Sequence, residues 1–140
     1  MKGFSREQLI SKAMEARKGS YSPYSGFAVG AALLCEDGSV ITGCNIENAA
    51  YGPTICAERV AMFKAISDGK RNFKAIAIVG SPAGEKINQF AFPCGVCRQV
   101  LREFCSPDNF TVLVAKNEKE YKELSLSALL PESFGPDNLK

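Results

Sequence analysis

Histidine is missing from all 140 residues of the chain. The side chain that most often serves as a general base near neutral pH is therefore excluded, and acid–base chemistry must rest on a carboxylate, a tuned lysine or cysteine, or metal-activated water. No stretch approaches the roughly 18 to 20 consecutive apolar residues of a membrane span, and Met1 to Glu7 holds no apolar leader core. A cytoplasmic address without a membrane partner is the expectation. Charge imbalance is also small: 17 Lys and Arg against 15 Asp and Glu leave +2. A nucleic-acid binder carries a basic stripe instead. Lys70, Arg71 and Lys74 form the one small basic cluster, which reads as a solvated loop between a helix and a strand. Neither an internal repeat nor a linker interrupts the chain.

Apolar residues make up 46% and charged residues 23%, a balance that suits a soluble chain with its own core. The length fits one compact domain spanning 1–140. Six cysteines would allow three disulfides, but a chain this rich in core residues does not need them, and thiols or metal ligands are preferred.

Ser5-Arg6-Glu7-Gln8 has the form of a capping box, and Leu9, Ile10, Ala13 and Met14 follow at helical spacing, so a first helix runs to about Gly19. Phe27 to Cys35 is a nearly continuous apolar run of strand length, and Asp37-Gly38 turns it into a second strand, Val40 to Asn45. A helix begins at Cys56 and runs to Ile66. Lys74 to Val79 reads as a third strand, Gly80 to Ala91 as a polar connection, and Cys94 to Phe104 as a helix behind Pro93. Strands at Thr111 to Ala115 and Tyr121 to Leu124 follow, with Ser125 capping a last helix that stops at Pro131. The order predicts an α/β fold: a three-layer α/β/α sandwich around a mixed five-stranded sheet.

Pro93-Cys94-Gly95-Val96-Cys97 places two thiols one helical turn apart, close enough to share one ion. Alone, this spacing fits a catalytic zinc site, a redox dithiol or half of a structural zinc ribbon. A ribbon wants a second Cys-x-x-Cys, which the chain lacks; Cys35, Cys44 and Cys105 stand singly and read as buried free thiols. A thioredoxin-like dithiol belongs after the first strand of a βαβ unit, whereas this one lies late. Cys56-Ala57-Glu58 supplies a third sulfur, leaving a tetrahedral position open, and Glu58 in the same helical turn is the carboxylate that can carry a proton. A solvated first-turn carboxylate is the plain alternative for Glu58.

Cys56-Ala57-Glu58 followed by Pro93-Cys94-Gly95-Val96-Cys97 resembles the signature of the zinc nucleoside and nucleobase deaminases in its all-cysteine form. Phe27 to Ala32, Asn45 to Gly52, Cys97 to Leu101 and Leu129 to Pro136 resemble the small homotetrameric cytidine deaminases, so the likeness covers almost the whole chain. It implies hydrolytic deamination of cytidine and 2′-deoxycytidine, a pyrimidine-salvage reaction. One zinc ion per subunit would be held by Cys56, Cys94 and Cys97, with Glu58 carrying protons to N3 and to the leaving amine.

Three thiolates on a dication leave a net charge of −1, and the resemblance gives Arg59 the task of drawing charge from the ligand sulfurs. It assigns Asn45 and Glu47, with Ile46 between them, to the sugar hydroxyls, Phe27 to the base, and the Ala57 N–H to the base O2. Phe134 would reach the active site of a neighbouring subunit of a homotetramer, and Tyr51, a further substrate-binding residue by the resemblance, lies in the loop that crosses between subunits. Competing readings are a deaminase of another aminopyrimidine such as blasticidin S, a structural zinc or redox protein, and a polynucleotide editor. Glu47 disfavours the last, because its charge repels phosphates.

Overall fold

The computed structural model describes residues 4–140; the Met1–Gly3 part of the amino-terminal segment lies outside the described residues. Helix α1, Arg6–Arg17, starts with the capping box expected of its sequence: the Gln8 N–H donates to Ser5 Oγ at 3.0 Å and the Ser5 N–H donates to Gln8 Oε1 at 3.2 Å. Strand β1, Phe27–Cys35, turns at Gly38, whose φ of 90° requires glycine, into β2, Val40–Cys44. Helix α2 is Ala57–Ser67, β3 Phe73–Pro82, α3 Gly95–Phe104, β4 Thr111–Ala115, β5 Tyr121–Ser125 and α4 Leu126–Leu129. Ser125 caps α4 by accepting from the Ala128 N–H. A 3-10 turn at Pro136–Leu139, not foreseen from the sequence, follows.

The five strands form one sheet in the order β2-β1-β3-β4-β5. β1 pairs antiparallel with both β2 and β3, whereas β3 and β4 run parallel, and α3 lies in the connection that parallel neighbours require. The sheet is thus mixed, as expected. Along β1 the buried side chains alternate between two cores. Ala32 and Leu34 meet Leu9, Ile10 and Ala13 of α1 on one face. Ala31 and Leu33 meet Ala57, Ala61 and Met62 of α2, with Leu101 of α3 and Leu126 of α4, on the other. A strand buried on both faces reads as the unbroken apolar run seen in its sequence.

β3 continues past the Val79 end expected from the sequence, because Phe27↔Pro82 and Ala28↔Ser81 remain in register with β1. Arg17 at the end of α1 fastens this extension, donating to the carbonyls of Ala28 at 3.1 Å and Pro82 at 2.8 Å. The basic cluster is engaged locally, with Lys74 reaching Glu36 at 4.0 Å. Lys70 pairs with Asp37 at 2.7 Å, and Arg71 donates to the Ile66 carbonyl at 2.9 Å. Cys35 and Cys105 are buried free thiols as expected, and burial pushes the Cys105 thiol up to about 12. Cys44 departs from that expectation: at the last position of a sheet-edge strand it is only half-buried. Among the described residues no helix is long and apolar enough to cross a membrane.

Candidate active site

Two helix N-termini face each other at the end of the sheet where β1 begins and β2 and β3 end. Cys56 is the N-cap of α2 and Cys94 the N-cap of α3, both with extended backbone. The Cys56 side chain makes no capping bond, which leaves its sulfur to face the other cysteines. Cys94 Sγ accepts from the Cys97 N–H at 3.5 Å, fixing the second and third sulfurs on one turn. Cys56 Sγ lies 3.8 Å from Cys94 Sγ, and Cys94 Sγ 3.5 Å from Cys97 Sγ. All three sulfurs lie within 4.8 Å of one another, so one ion can touch them together. Soft thiolates at the positive ends of two helices suit a zinc ion.

The sulfurs perturb one another. Hydrogen bonding from Cys97, with help from Arg59, lowers Cys56 to about 5, against the opposing effect of burial. Donation to Cys56, then burial, raises Cys97. Arg59 stands one residue beyond Glu58 and donates from Nη2 to Cys56 Sγ at 3.5 Å. Burial works against its charge, but the hydrogen bonds to Cys56 and Cys97 outweigh it and raise its pKa. Arg59 Nε is buried without a partner among the described residues. The guanidinium thus engages the sulfurs through Nη2.

Glu58 is 4% exposed, yet it borders the same cavity as Cys56 and Cys94. Burial is the chief cause that pushes its carboxyl up to about 7. Gly43 makes this placement possible: a Cβ there would stand 2.6 Å from both the Ala57 carbonyl and the Ala61 nitrogen, so only glycine lets α2 lie this close to β2.

The cavity measures about 250 Å³ and is walled by Phe27 and Val29 of β1, Asn45 and Glu47 beyond β2, Cys56, Glu58, Ile78 of β3, Phe92 and Cys94. Gly80 backs this wall from below; its Cα side is so close to Phe27 and Ala91 that a Cβ would sit 2.9 Å from each. The Asn45 amide is largely committed. Oδ1 accepts from Ser20 Oγ at 2.5 Å and the Val29 N–H at 2.9 Å, while Nδ2 donates to the Phe27 carbonyl at 2.8 Å. One N–H is left for a ligand.

Of the residues singled out in the sequence, Phe27, Asn45, Glu47, Cys56, Glu58 and Cys94 meet at this cavity. Cys97 is buried behind it and Ala57 opens α2 beneath it. Three others stay apart within the chain. Ile46 is 44% exposed and bridges Tyr21 and Ile55 through its backbone; Tyr51 is 77% exposed beside a neighbouring hollow; Phe134 is 59% exposed, its carbonyl accepting from Gln99 Nε2 at 2.9 Å. The sequence reading missed Ala91 and Phe92, placed in or beside a supposed polar connection, and Thr54 and Ile55. Their only signal was adjacency to Pro93-Cys94 and to Cys56.

A three-sulfur donor set with a buried carboxylate beside it, at the open end of a mixed sheet, defines a metal-dependent hydrolytic enzyme. A family profile described as the cytidine and deoxycytidylate deaminase zinc-binding region matches residues 5–114. A cytidine deaminase of Halalkalibacterium halodurans is 48% identical over 134 residues, covering 96% of this chain and 97% of its own length. One of Sporosarcina psychrophila is 47% identical over 133 residues, covering 95% and 93%. The crystal structure of a cytidine deaminase from Burkholderia pseudomallei aligns with a TM-score of 0.83 at 43% identity, covering 94% of this chain and 100% of that one. The chain belongs to the cytidine and deoxycytidylate deaminase family, and its cofactor is zinc.

Proposed function

We propose that residues 1–140 act as one catalytic domain that hydrolytically deaminates cytidine and 2′-deoxycytidine to uridine and 2′-deoxyuridine, releasing ammonia. The observation that carries this reading is the single cavity in which Glu58 and two of three clustered sulfurs face Phe27, Asn45 and Glu47. Cys56, Cys94 and Cys97 would hold the zinc ion, which when bound would supply Lewis-acid activation of water. Glu58, at the same cavity, would take a proton from the water that adds to C4. It would pass that proton to N3, then take a second from the hydroxyl group formed on C4 and give it to the amine as the C4–N bond breaks and ammonia leaves. One carboxyl group suffices because each transfer occurs in the same dry corner.

Phe27 offers an apolar face to the base, and the Ala57 N–H, free at the first position of α2, supplies a donor for O2. Asn45 Nδ2 and Glu47 Oε2 offer a donor and an acceptor, the pair that one sugar hydroxyl needs. The direct test is loss of cytidine absorbance with purified protein. Inertness toward cytidine and deoxycytidine in a preparation holding one zinc per chain would return the structural-zinc reading.

Arg59 stabilises the excess negative charge of the ligand set. Arg59→Ala should lower zinc affinity or kcat by about ten- to a hundredfold, the usual worth of a group supporting a metal ligand. Unchanged zinc content and an unchanged rate would remove this role. Glu47 also sets the substrate class: CMP should show a kcat/KM at least about a hundredfold below that of cytidine, because a phosphate near this carboxylate costs several kcal/mol. Comparable values for the two would count against a nucleoside-specific site.

A homotetramer completes the reading. Tyr51 and Phe134 stand exposed, away from their own cavity, in the manner of side chains that finish a neighbour's site. Native mass spectrometry should return the mass of four chains. A cytoplasmic pyrimidine-salvage role fits this activity.

A further inference from the structure

We propose that Ser25 is a positioning residue of the sugar subsite, holding the acceptor oxygen of Glu47 and the strand that carries Phe27 with one hydroxyl group. Glu47 Oε1 accepts two backbone N–H groups, those of Tyr24 and Ser25, each at 3.0 Å. Its other oxygen, Oε2, has one partner among the described residues, the Ser25 hydroxyl, which donates to it. A carboxylate has about four lone-pair sites; three are taken, and the remaining one lies on Oε2. The oxygen left to receive a ligand is therefore the one that Ser25 orients.

The same Oγ accepts from the Phe27 N–H at 3.0 Å. Ser25 thus bridges the Glu47 carboxylate and the backbone of Phe27, two residues that wall the cavity, from a position in the neighbouring hollow rather than in the metal cluster or the cavity itself. Ser20 plays a lesser part. Its hydroxyl donates to Asn45 Oδ1, but Asn45 is held independently by Val29 and Phe27. Oε2 of Glu47 has no such second restraint. Without Ser25 the carboxylate keeps its backbone bonds through Oε1 yet is free to pivot about them.

This inference rests on the reading that Glu47 receives a sugar hydroxyl, and the experiment separates the two. Ser25→Ala, Ser25→Thr and Glu47→Ala would be assayed with cytidine and with 2′,3′-dideoxycytidine, which lacks the hydroxyl. Ser25→Ala should raise KM for cytidine about tenfold, the worth of one hydrogen bond to a charged group. Its kcat should stay within about threefold, and with the dideoxy substrate its KM should change less than about twofold, because no hydroxyl remains to be misplaced. Ser25→Thr, which keeps the hydroxyl, should restore the wild-type KM. If Glu47→Ala distinguishes the two substrates while Ser25→Ala affects both equally or neither, the positioning role is wrong. If Glu47→Ala fails to distinguish them, the sugar reading falls and this inference falls with it. Zinc content and melting temperature equal to wild type, expected for an exposed turn residue, exclude a folding defect.

Discussion

Glu58→Gln is expected to lower kcat by about 10³- to 10⁴-fold while zinc remains near one per chain, since a positioned acid–base group contributes rates of that order. The amide keeps the shape of the side chain and its place in the wall but cannot take or return a proton. Removing a charge from a site only 4% exposed should not destabilise the fold, because burying an ionised carboxylate carries a cost that the amide avoids. The melting temperature should therefore match or exceed that of the wild type. An active Glu58→Gln enzyme with full zinc would show that proton transfer uses another group, and the absence of histidine leaves few candidates. Loss of zinc together with activity would instead make Glu58 part of the metal-binding framework.

Cys97→Ser carries the second large effect. Cys97 is fully buried at the third position of α3, 3.5 Å from Cys94 Sγ. A hydroxyl in that place is a poor zinc ligand, so zinc content should fall below about 0.1 per chain and kcat/KM by at least about 10³-fold. The wild type should lose more than about 5 °C of melting temperature on treatment with a strong chelator, because metal bound to the folded chain stabilises it by mass action. Cys97→Ser should show no such response to chelator. Cys105→Ser makes the matched control, being another buried cysteine remote from the cavity, and should leave zinc untouched. A Cys97→Ser protein that still holds stoichiometric zinc would remove Cys97 from the ligand set.

Much of this was legible in the sequence, for reasons that can be traced to particular residues. The capping box at Ser5, the unbroken run of β1 and the serine ahead of α4 are local signals, and local geometry honoured each. The end of β3 was hidden because Gly80-Ser81-Pro82 has turn composition; its strand geometry comes from pairing with β1 and from Arg17, which is far away in sequence. Cys44 was taken for a buried thiol from its type alone, and the openness of β2 at the sheet edge overrides that preference.

At the site, Cys-Ala-Glu and Cys-x-x-Cys announced themselves because metal chemistry fixes residue type and spacing. Phe92 and Ala91 did not, since an apolar wall can be built from any bulky side chain delivered by a loop. Ile46, Tyr51 and Phe134 show the other limit. A single chain holds their side chains outward, and for Tyr51 and Phe134 the proposed part rests on the proposed homotetramer.

The sheet divides the molecule into two interiors, and none of the cavity's lining residues belongs to the one beneath α1. Leu9, Ile10, Ala13, Leu34 and Val79 can therefore be repacked without reshaping the pocket. Selection, natural or in the laboratory, can then adjust heat tolerance on one side of the sheet and substrate turnover on the other as nearly separate traits. An enzyme whose catalytic groups shared a single core would face a trade-off that this architecture relieves.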